Sequence, residues 1–259
     1  MSLPATIVRG SGDVAVFLLH GVGGGKEAWQ DNLEAIAAAG CRAVAWDAPG
    51  YGASAPLARL DNAAFAHALV TLLDDVGAPV SVLCGHSMGG MIAQEVVARY
   101  PGRVQGLILS ATSPAFGKPG GDWQREFLAS RFAPLDAGIG MAGLAPNLAR
   151  GMLAPGMSEA VVAHAAGIMA RVPESTYRAA LAAIVSFNRL AELPAIDVPT
   201  LCLAGEHDAV APAKVMRRMA QTIPGAEFRI LAGAGHIANM ETPAAFNAAV
   251  VEFVQRRFM

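Results

Sequence analysis

The sequence predicts an α/β protein whose core is a doubly wound, mostly parallel sheet with an inserted helical cap. Short apolar runs rich in β-branched residues, which are typical of buried parallel strands, alternate with helical patterns along most of the chain. Such alternation gives a parallel sheet with right-handed connections. Between residues 115 and 193 the helical patterns continue, but no strand is evident. We therefore assign residues 1–114 and 194–259 to the core domain and residues 115–193 to a cap inserted in it.

The composition argues against several kinds of partner. Of the 259 residues, 54% are hydrophobic and 15% are charged, and the formal net charge of −2 gives no reason to expect nucleic acid or an anionic membrane as a partner. No secretory signal pattern is visible, and no apolar stretch approaches the roughly 18 residues that a membrane span needs. The three cysteines, Cys41, Cys84 and Cys202, lie in or beside predicted strands and indicate reduced core thiols. We expect a cytoplasmic protein, a monomer or a small homo-oligomer, whose partner is a small molecule.

The first predicted strand, residues 14–19, ends in a glycine-rich loop that begins His20-Gly21-Val22-Gly23. The loop does not fit a dinucleotide-binding fingerprint, because Lys26 stands where that motif needs its last glycine. It does not fit a phosphate-binding P-loop either, because His20 stands where the first glycine belongs. The remaining interpretation is a loop that points backbone N–H groups into a site. A flexible glycine loop without that role is the alternative.

The next elements are a helix at residues 27–39, a strand at residues 42–46 and a helix at residues 62–76. A turn-rich stretch, residues 47–54, follows the strand and begins with Asp47. Asp47 ends its strand at the same edge of the sheet as the expected site, so it is a candidate catalytic acid. We favour a structural role in the turn, because Asp47 precedes the candidate nucleophile in the chain.

Residues 80–90 hold the strongest signal: a strand, then the turn Gly85-His86-Ser87-Met88-Gly89, then the start of a helical pattern. This order is that of a nucleophile elbow, with Ser87 as the candidate nucleophile. Gly85 and Gly89 lack a Cβ atom, so strand and helix can approach each other while Ser87 takes a strained backbone conformation. A glycine-flanked turn without chemistry is the alternative. We interpret His86 as a neighbour that shapes the elbow, because its ring cannot easily aim at the hydroxyl of the adjacent residue.

The strand at residues 105–110 ends without a carboxylate, and the predicted cap begins soon after it. Its helical segments are at residues 122–132, 136–149, 158–172 and 174–190. A cap after the carboxyl end of a strand would cover the crevice where open α/β sheets bind ligands. We expect Trp123 to contact the substrate. One cap arginine could hold an anionic substrate group, the candidates being Arg125, Arg131, Arg150, Arg171, Arg178 and Arg189.

The core resumes with strands at residues 198–204 and 228–231. Asp208 follows the first of them and His236 the second, so Ser87, Asp208 and His236 come in the chain order that an elbow serine requires. His236 would take the proton of the serine, and Asp208 would fix the tautomer of the histidine and stabilise the imidazolium. Glu206 and Asp47 compete with Asp208 as the acid. For His236, a histidine that merely caps a turn is the alternative.

The tetrahedral oxyanion would lie against the backbone amides of Val22 and Met88, with Gly23 as the alternative to Val22. We expect Gly21 and Gly23 to line the substrate site together with Trp123. Nothing in the sequence requires a metal ion or an organic cofactor.

These motifs resemble those of the α/β-hydrolase superfamily over essentially the whole chain. The resemblance rests on the His20-Gly21 loop, the turn 47–54, the elbow 85–90, Asp208 and Gly235-His236. Within the superfamily, the compact cap and the runs 198–212 and 235–241 are most similar to 3-oxoadipate enol-lactonases and the related carboxylesterases. The resemblance implies the α/β-hydrolase fold and a serine hydrolase that cleaves a small carboxylic ester or an anionic enol-lactone through an acyl-enzyme on Ser87.

Two rival functions stay open. Similar cap-bearing hydrolases break a carbon–carbon bond in a ring-cleavage product, although they usually carry asparagine at the position of His86. The second rival is a binding protein of the same fold that turns its ligand over little or not at all. The complete set of candidate catalytic residues argues against the second rival.

Overall fold

The structure is a computed structural model that describes residues 2–117 and 120–259, and a seven-stranded sheet forms its centre. The strands are β1 (Thr6–Arg9), β2 (Val14–Leu19), β3 (Arg42–Trp46), β4 (Val80–His86), β5 (Gly106–Ser110), β6 (Thr200–Gly205) and β7 (Glu227–Leu231). Their spatial order is β1-β3-β2-β4-β5-β6-β7, and the pairs from β3 to β7 are parallel. The predicted mostly parallel sheet is therefore confirmed.

The edge strand β1 is the strand that the sequence pattern did not reveal. It pairs antiparallel with β3, from Thr6 opposite Trp46 to Arg9 opposite Ala43. It has only four residues, two of which are exposed, so it lacks the buried run that marks β2 to β6.

Helices cover both faces of the sheet, as the doubly wound arrangement requires. They are α1 (Gln30–Ala38), α2 (Asn62–Val76), α3 (Met88–Arg99), α4 (Asp122–Asp136), α5 (Gly140–Met152), α6 (Glu159–Ala170), α7 (Glu174–Val185), α8 (Ala213–Thr222), α9 (Ala238–Glu241) and α10 (Pro243–Phe258). The layer of α1 and α10 packs against Val16 and Leu18 of β2, and the layer of α2, α3 and α8 packs against Phe17 and Leu19. Successive side chains of a strand point to opposite faces, which explains why β2 is buried at every position. Within the described residues, none of these helices combines the length and the apolar character that crossing a membrane demands.

The helices α4–α7 follow one another between β5 and β6, in the stretch predicted to form the cap. α5 and α6 pack closely together, and a bridge between Ala115 and Asn188 joins the two ends of the stretch. The second cap helix begins at Gly140 instead of the predicted residue 136. The reason is local: Gly138 and Gly140 have φ angles of 81° and 65°, a left-handed conformation that interrupts a helix.

The cysteines lie where the sequence placed them. Cys84 is in β4, Cys202 is in β6 and Cys41 immediately precedes β3, and all of them are buried free thiols. Burial raises the pKa of each thiol, that of Cys202 to about 12. The thiols are therefore packing groups of the core.

Candidate active site

The three candidate catalytic residues meet at the edge formed by the carboxyl ends of the parallel strands. Ser87 directly follows β4, Asp208 follows β6, and His236 follows β7. Because parallel strands end at the same edge of a sheet, residues far apart in the chain are brought together there.

The backbone of Ser87 has a conformation that side chains rarely adopt, with φ at 52° and ψ at −116°. Four hydrogen bonds hold it: its N–H donates to Ser110 O (2.9 Å), and its carbonyl accepts from Gly90 N (2.9 Å), Met91 N (3.2 Å) and Thr112 Oγ1 (2.7 Å). Such a conformation costs about 1–3 kcal/mol and persists only where the surroundings enforce it. The Ser87 side chain makes no helix-capping bond, so its hydroxyl is left for the cavity.

The glycines of the elbow are required by contacts between backbones. A Cβ atom on Gly85 would lie 2.4 Å from Gly89 O, and one on Gly89 would lie 2.1 Å from Leu19 O. Both distances are far shorter than any carbon–oxygen contact, so any larger residue would push α3 away from the sheet. The close approach of strand and helix that the sequence predicted is therefore present.

A continuous series of hydrogen bonds joins the three side chains. The Ser87 hydroxyl lies 3.1 Å from His236 Nε2, and His236 Nδ1 lies 2.9 Å from Asp208 Oδ2. All three lie at the sheet edge, and the His236 and Asp208 side chains are almost wholly buried. The structure thus brings together the serine, histidine and acid that the sequence analysis selected.

Asp208 is placed to remain an anion. Burial by itself would raise its pKa, but the hydrogen bond from His236 and the amides of Val210 (2.8 Å) and Ala211 (2.9 Å) hold the pKa of this carboxyl below its ordinary value. An ionised carboxylate accepts the hydrogen bond that His236 Nδ1–H donates, so the ring proton stays on Nδ1. Nε2 is then unprotonated and can accept the proton of Ser87.

The two competing acids lie elsewhere and have other partners. The carboxylate of Asp47 is fully buried and bound by Lys26, through both its amide N (2.9 Å) and its ammonium group, and by Ala53 N (3.1 Å). Asp47 therefore holds the turn together, in the structural role that the sequence favoured. Glu206 is half-exposed and accepts Gly233 N (2.9 Å). Asp208 is the carboxylate that binds His236.

The loop after β2 is fixed by a buried histidine. His20 Nε2 accepts the N–H of Ala48 (3.0 Å), so the proton of the neutral ring is on Nδ1, which donates to Gly21 O (2.8 Å). Burial lowers the pKa of His20, which favours this neutral ring. Because a trans peptide points its C=O and N–H in opposite directions, the bond to Gly21 O also sets the direction of the Val22 N–H.

The backbone amides of Val22 and Met88 are the predicted donors to an oxyanion. Among the described residues, neither the N–H of Val22 nor that of Met88 donates to a protein acceptor. Met88 is the first residue of α3, where helix N–H groups are free and the helix dipole is positive. The hydroxyl of Tyr51 donates to Val22 O (3.0 Å). This bond fixes the peptide between Val22 and Gly23, and with it the direction of the Gly23 N–H.

His86 binds the backbone of His236 and is not hydrogen-bonded to Ser87. Its Nε2 lies 2.9 Å from His236 O, and a carbonyl can only accept, so Nε2 carries the proton. Burial, together with the neighbouring His236 ring, lowers the pKa of His86 to about 3. His86 is therefore a neutral ring that connects the elbow to the loop of His236.

A cavity of about 480 Å³, including its open mouth, lies over Ser87 and His236. Gly21, Val22 and Gly23 line its core side, as predicted. The cap contributes a wall of apolar side chains, which are Met152, Ala165, Ile168 and Met169. Met169 lies directly over the loop, because a Cβ atom on Gly23 would be 2.8 Å from Met169 Cγ.

The structure does not bring Trp123 to this cavity. Trp123 is 55% exposed and packs on the rings of Phe116 (5.0 Å between centroids) and Phe127 (5.9 Å). The expectation that it contacts substrate is not supported, since α4 places it on the outer surface of the cap.

No cap arginine lines the cavity within the described part of the chain. Arg150 pairs with Glu159, Arg178 with Asp136 and Glu174, and Arg189 with Glu95 and Glu192. Arg125 pairs with Asp122, and Arg131 lies over the ring of Phe127. The expected arginine ligand for an anionic substrate is therefore absent from the lining.

Glu241 was not predicted as a site residue, although its carboxylate is buried beside the site. Glu241 accepts backbone N–H groups from Gly235 and Ile237, the two neighbours of His236. An acid inside a short helical run ordinarily lies on a solvated surface. The sequence feature that could have pointed to Glu241 is its position shortly after His236.

Within residues 2–117 and 120–259, no cluster of His, Cys, Asp and Glu side chains has an arrangement that could hold a metal ion.

Comparisons with known proteins agree with this geometry. A family profile described as alpha/beta hydrolase fold matches residues 14–243. A Variovorax paradoxus (strain S110) protein named as a carbamate hydrolase, RutD, is 32% identical over 250 residues, which cover 93% of this chain and 92% of that protein. A 2-hydroxy-6-oxononadienedioate/2-hydroxy-6-oxononatrienedioate hydrolase from Pseudomonas sp is 28% identical over 255 residues, which cover 95% of this chain and 90% of that protein. The crystal structure of the enol-lactonase from Burkholderia xenovorans LB400 superimposes with a TM-score of 0.85 and 25% identity, covering 97% of this chain and 96% of that chain.

Proposed function

The chain belongs to the α/β-hydrolase family, and we propose that it is a serine hydrolase of small carboxylic esters or lactones. The observation that carries the proposal is the hydrogen-bonded series from Ser87 through His236 to Asp208, which opens into a cavity lined by Val22 of the glycine-rich loop. The similarity to an enol-lactonase supports an acyl carbon as the point of attack.

In the first half of the reaction, Ser87 Oγ attacks the acyl carbon while its proton passes to His236 Nε2. The imidazolium that forms is stabilised by Asp208, whose low pKa keeps it anionic. The proton on Nε2 then goes to the leaving alcohol oxygen as the carbon–oxygen bond breaks. The product of this half is an acyl group on Ser87 and a free alcohol, or for a lactone the opened hydroxy-acyl chain.

In the second half, water attacks the acyl-enzyme with His236 again as the base. The water gives its hydroxyl to the acyl carbon and its proton to Nε2. The bond between the acyl carbon and Ser87 Oγ then breaks, that proton returns to Oγ, and the carboxylic acid leaves. In both halves the oxyanion would accept from the amides of Val22 and Met88. Each such donor contributes roughly 10²–10³ in rate.

The lining favours an uncharged acyl group over an anionic one. The cap wall is made of methionine, isoleucine and alanine, and the side-chain amide of Asn239 is already bound to Ala28 O (2.7 Å). A carboxylate brought into such a wall would lose its hydration without gaining a cation. We therefore place neutral esters and lactones ahead of the anionic enol-lactone that the resemblance implies.

A hydrolysis assay with wild type and Ser87→Ala tests the proposal. We expect release of nitrophenol from nitrophenyl acetate by the wild type, and a fall in kcat on the order of 10⁴–10⁶ in the variant. Mass spectrometry of the wild type quenched during turnover should find the acetyl group on Ser87. The matched control is Ser130→Ala, which removes an exposed cap serine and should leave the rate unchanged. Release of nitrophenol that is independent of Ser87 would overturn the proposal.

The same assay separates the rival functions. A carbon–carbon hydrolase would act on a 2-hydroxy-6-oxononadienedioate, the compound in the name of the Pseudomonas relative, and leave neutral esters untouched. A binding protein would hold a neutral ester in a stoichiometric complex without Ser87-dependent turnover.

A further inference from the structure

The carboxylate of Glu241 joins the cap to the loop that carries His236. Glu241 ends α9, and it is buried. Its Oε2 accepts the N–H of Ala154, in the cap just after α5 (2.7 Å), and the N–H of Gly235 (2.9 Å). Its Oε1 accepts the N–H of Ile237 (2.8 Å). One carboxylate thus binds both neighbours of His236 and one cap residue.

His236 itself is held through its backbone by the cap and by the elbow. Its N–H donates to the carbonyl of Met152, the last residue of α5 (2.8 Å). Its carbonyl accepts from Nε2 of His86, which precedes Ser87 (2.9 Å). The position of His236 is therefore defined jointly by the core and by the end of α5.

Backbone packing brings the cap and the His236 loop into direct contact. A Cβ atom on Gly235 would lie 2.4 Å from Ala154 N and 2.8 Å from Leu153 C. Only a glycine allows this approach, and the approach places the Ala154 N–H within reach of Glu241. Movement of this part of the cap would break the Ala154 and Met152 hydrogen bonds together.

We propose that Glu241 is a positioning residue through which docking of the cap aligns the catalytic base. The inference rests on the proposed function, because it takes His236 as the base for Ser87. Glu241 touches no reacting atom. It acts by fixing the peptide groups on both sides of His236. The docked cap adds the Ala154 N–H, which holds the Glu241 carboxylate in place for those two bonds.

The arrangement requires a carboxylate, since every group that faces Glu241 in these bonds is an N–H donor. An ionised carboxylate has only acceptors, whereas the amide of glutamine also presents an NH₂ group. In Glu241→Gln, the NH₂ group must therefore face at least one N–H and push it away. A misplacement of about 1 Å at a catalytic group can cost on the order of 10² in rate.

Kinetics of Glu241→Gln give the first test. We expect kcat for a neutral nitrophenyl ester to fall about 10²-fold while KM changes by less than about threefold, because the cavity wall is unchanged but the base is displaced. The matched control is Glu206→Gln, which alters an exposed carboxylate that also accepts a backbone N–H near the same loop, from Gly233. The control should stay within twofold of the wild type.

A second variant leaves the carboxylate in place and breaks the contact from the cap side, because the ring Cδ of a proline would stand where the N–H of Ala154 points toward Glu241 Oε2. Proline has no N–H, and Leu153, with φ at −82° and ψ at 155°, already has the extended conformation that a residue before proline needs. Ala154→Pro should lower kcat in the same direction as Glu241→Gln, and the two changes should be non-additive in the double variant.

Two spectroscopic measurements distinguish positioning from a merely structural role. In folded Glu241→Gln, the low-field proton resonance of the His236–Asp208 hydrogen bond should shift or broaden, and in Glu206→Gln it should not. In the wild type, the amides of Gly235, Ile237 and Ala154 should be protected from hydrogen exchange as one group, a readout that needs no variant.

The proposal is overturned if Glu241→Gln and Ala154→Pro keep the wild-type kcat, or if the wild-type amides of Gly235 and Ile237 exchange at the rate of exposed loops. It is also overturned if the variants lower only the melting temperature and leave the His236 resonance unmoved. Failure of the proposed function looks different, since activity would then not depend on Ser87 at all.

Discussion

The core and the cap contribute to the cavity in different ways. On the core side, backbone hydrogen bonds and glycine contacts fix each group: the strained Ser87, the tautomer of His20, and the amides of the loop after β2. On the cap side, flexible apolar side chains such as Met169 form the wall, and ion pairs occupy the outer surface. The core therefore supplies the groups to which we assign the chemistry, and the apolar side chains of the cap wall limit which molecules fit. The end of α5 is the part of the cap that also contacts the His236 loop.

The largest expected effect comes from the core. Asp208→Asn should leave the fold intact and lower kcat by about 10⁴-fold, because an amide at this position favours the wrong tautomer of His236. Steady-state kinetics on a nitrophenyl ester and a circular dichroism spectrum check both parts of the expectation. The companion variant Glu206→Gln should retain full activity, and the opposite pattern would show that the acid is assigned to the wrong residue.

A second prediction concerns the pH dependence of stability and depends on the buried core histidine His86. Its pKa in the folded protein is about 3, below the ordinary value near 6.5, so between these pH values the unfolded chain binds a proton that the folded protein does not. The free energy of unfolding should therefore fall as the pH is lowered through this window, with a contribution from His86 of at most about 1.4 kcal/mol per pH unit.

Urea unfolding of wild type and His86→Asn at a series of pH values between 7 and 4 measures this contribution. The variant should show a shallower decline than the wild type. His67→Asn, which alters an exposed histidine, is the control and should follow the wild-type curve. Parallel curves for wild type and His86→Asn would show that His86 is not held neutral.

The smallest effects are expected for the side chains of the cap wall. Their substitution should change substrate selectivity more than the rate of the chemical step. Met169→Ala should enlarge the cavity over Gly23, raise kcat/KM for nitrophenyl hexanoate relative to nitrophenyl acetate by about tenfold, and destabilise the fold by about 2–4 kcal/mol. Arg150→Ala removes an exposed ion pair with Glu159 and should change neither the ratio nor the melting temperature. An unchanged preference for acyl length in Met169→Ala would mean that another wall sets the size limit.

The same difference explains what the sequence could predict. Ser87, Asp208 and His236 were found because each directly or closely follows a strand, and the ends of parallel strands share one edge. The loop of Val22 was predicted because its glycines follow a strand and fit neither of two phosphate-binding patterns, which left a site loop as the favoured interpretation and a flexible loop as the alternative. These signals are local, so a single chain carries them.

The remaining features depend on contacts between distant segments. Trp123 was expected to contact the substrate, but α4 places it on the outer surface with Phe116 and Phe127. Arg178 and Arg189 pair with Asp136 and Glu95, acids far away in the chain that only the packed helices bring together. The task of Glu241 depends on Ala154, which lies 87 positions away in the chain.

The backbone of residue 87 has a consequence for how this protein can change. The energetic cost of the positive φ angle arises from the main chain and the Cβ atom. It does not depend on the group attached to Cβ, for which the neighbouring glycines leave room. A thiol or a carboxylate at the same position would thus be presented to the same cavity on an unaltered scaffold. A single amino-acid substitution, and not a rebuilt loop, separates the hydroxyl that we propose as the nucleophile from groups of different reactivity.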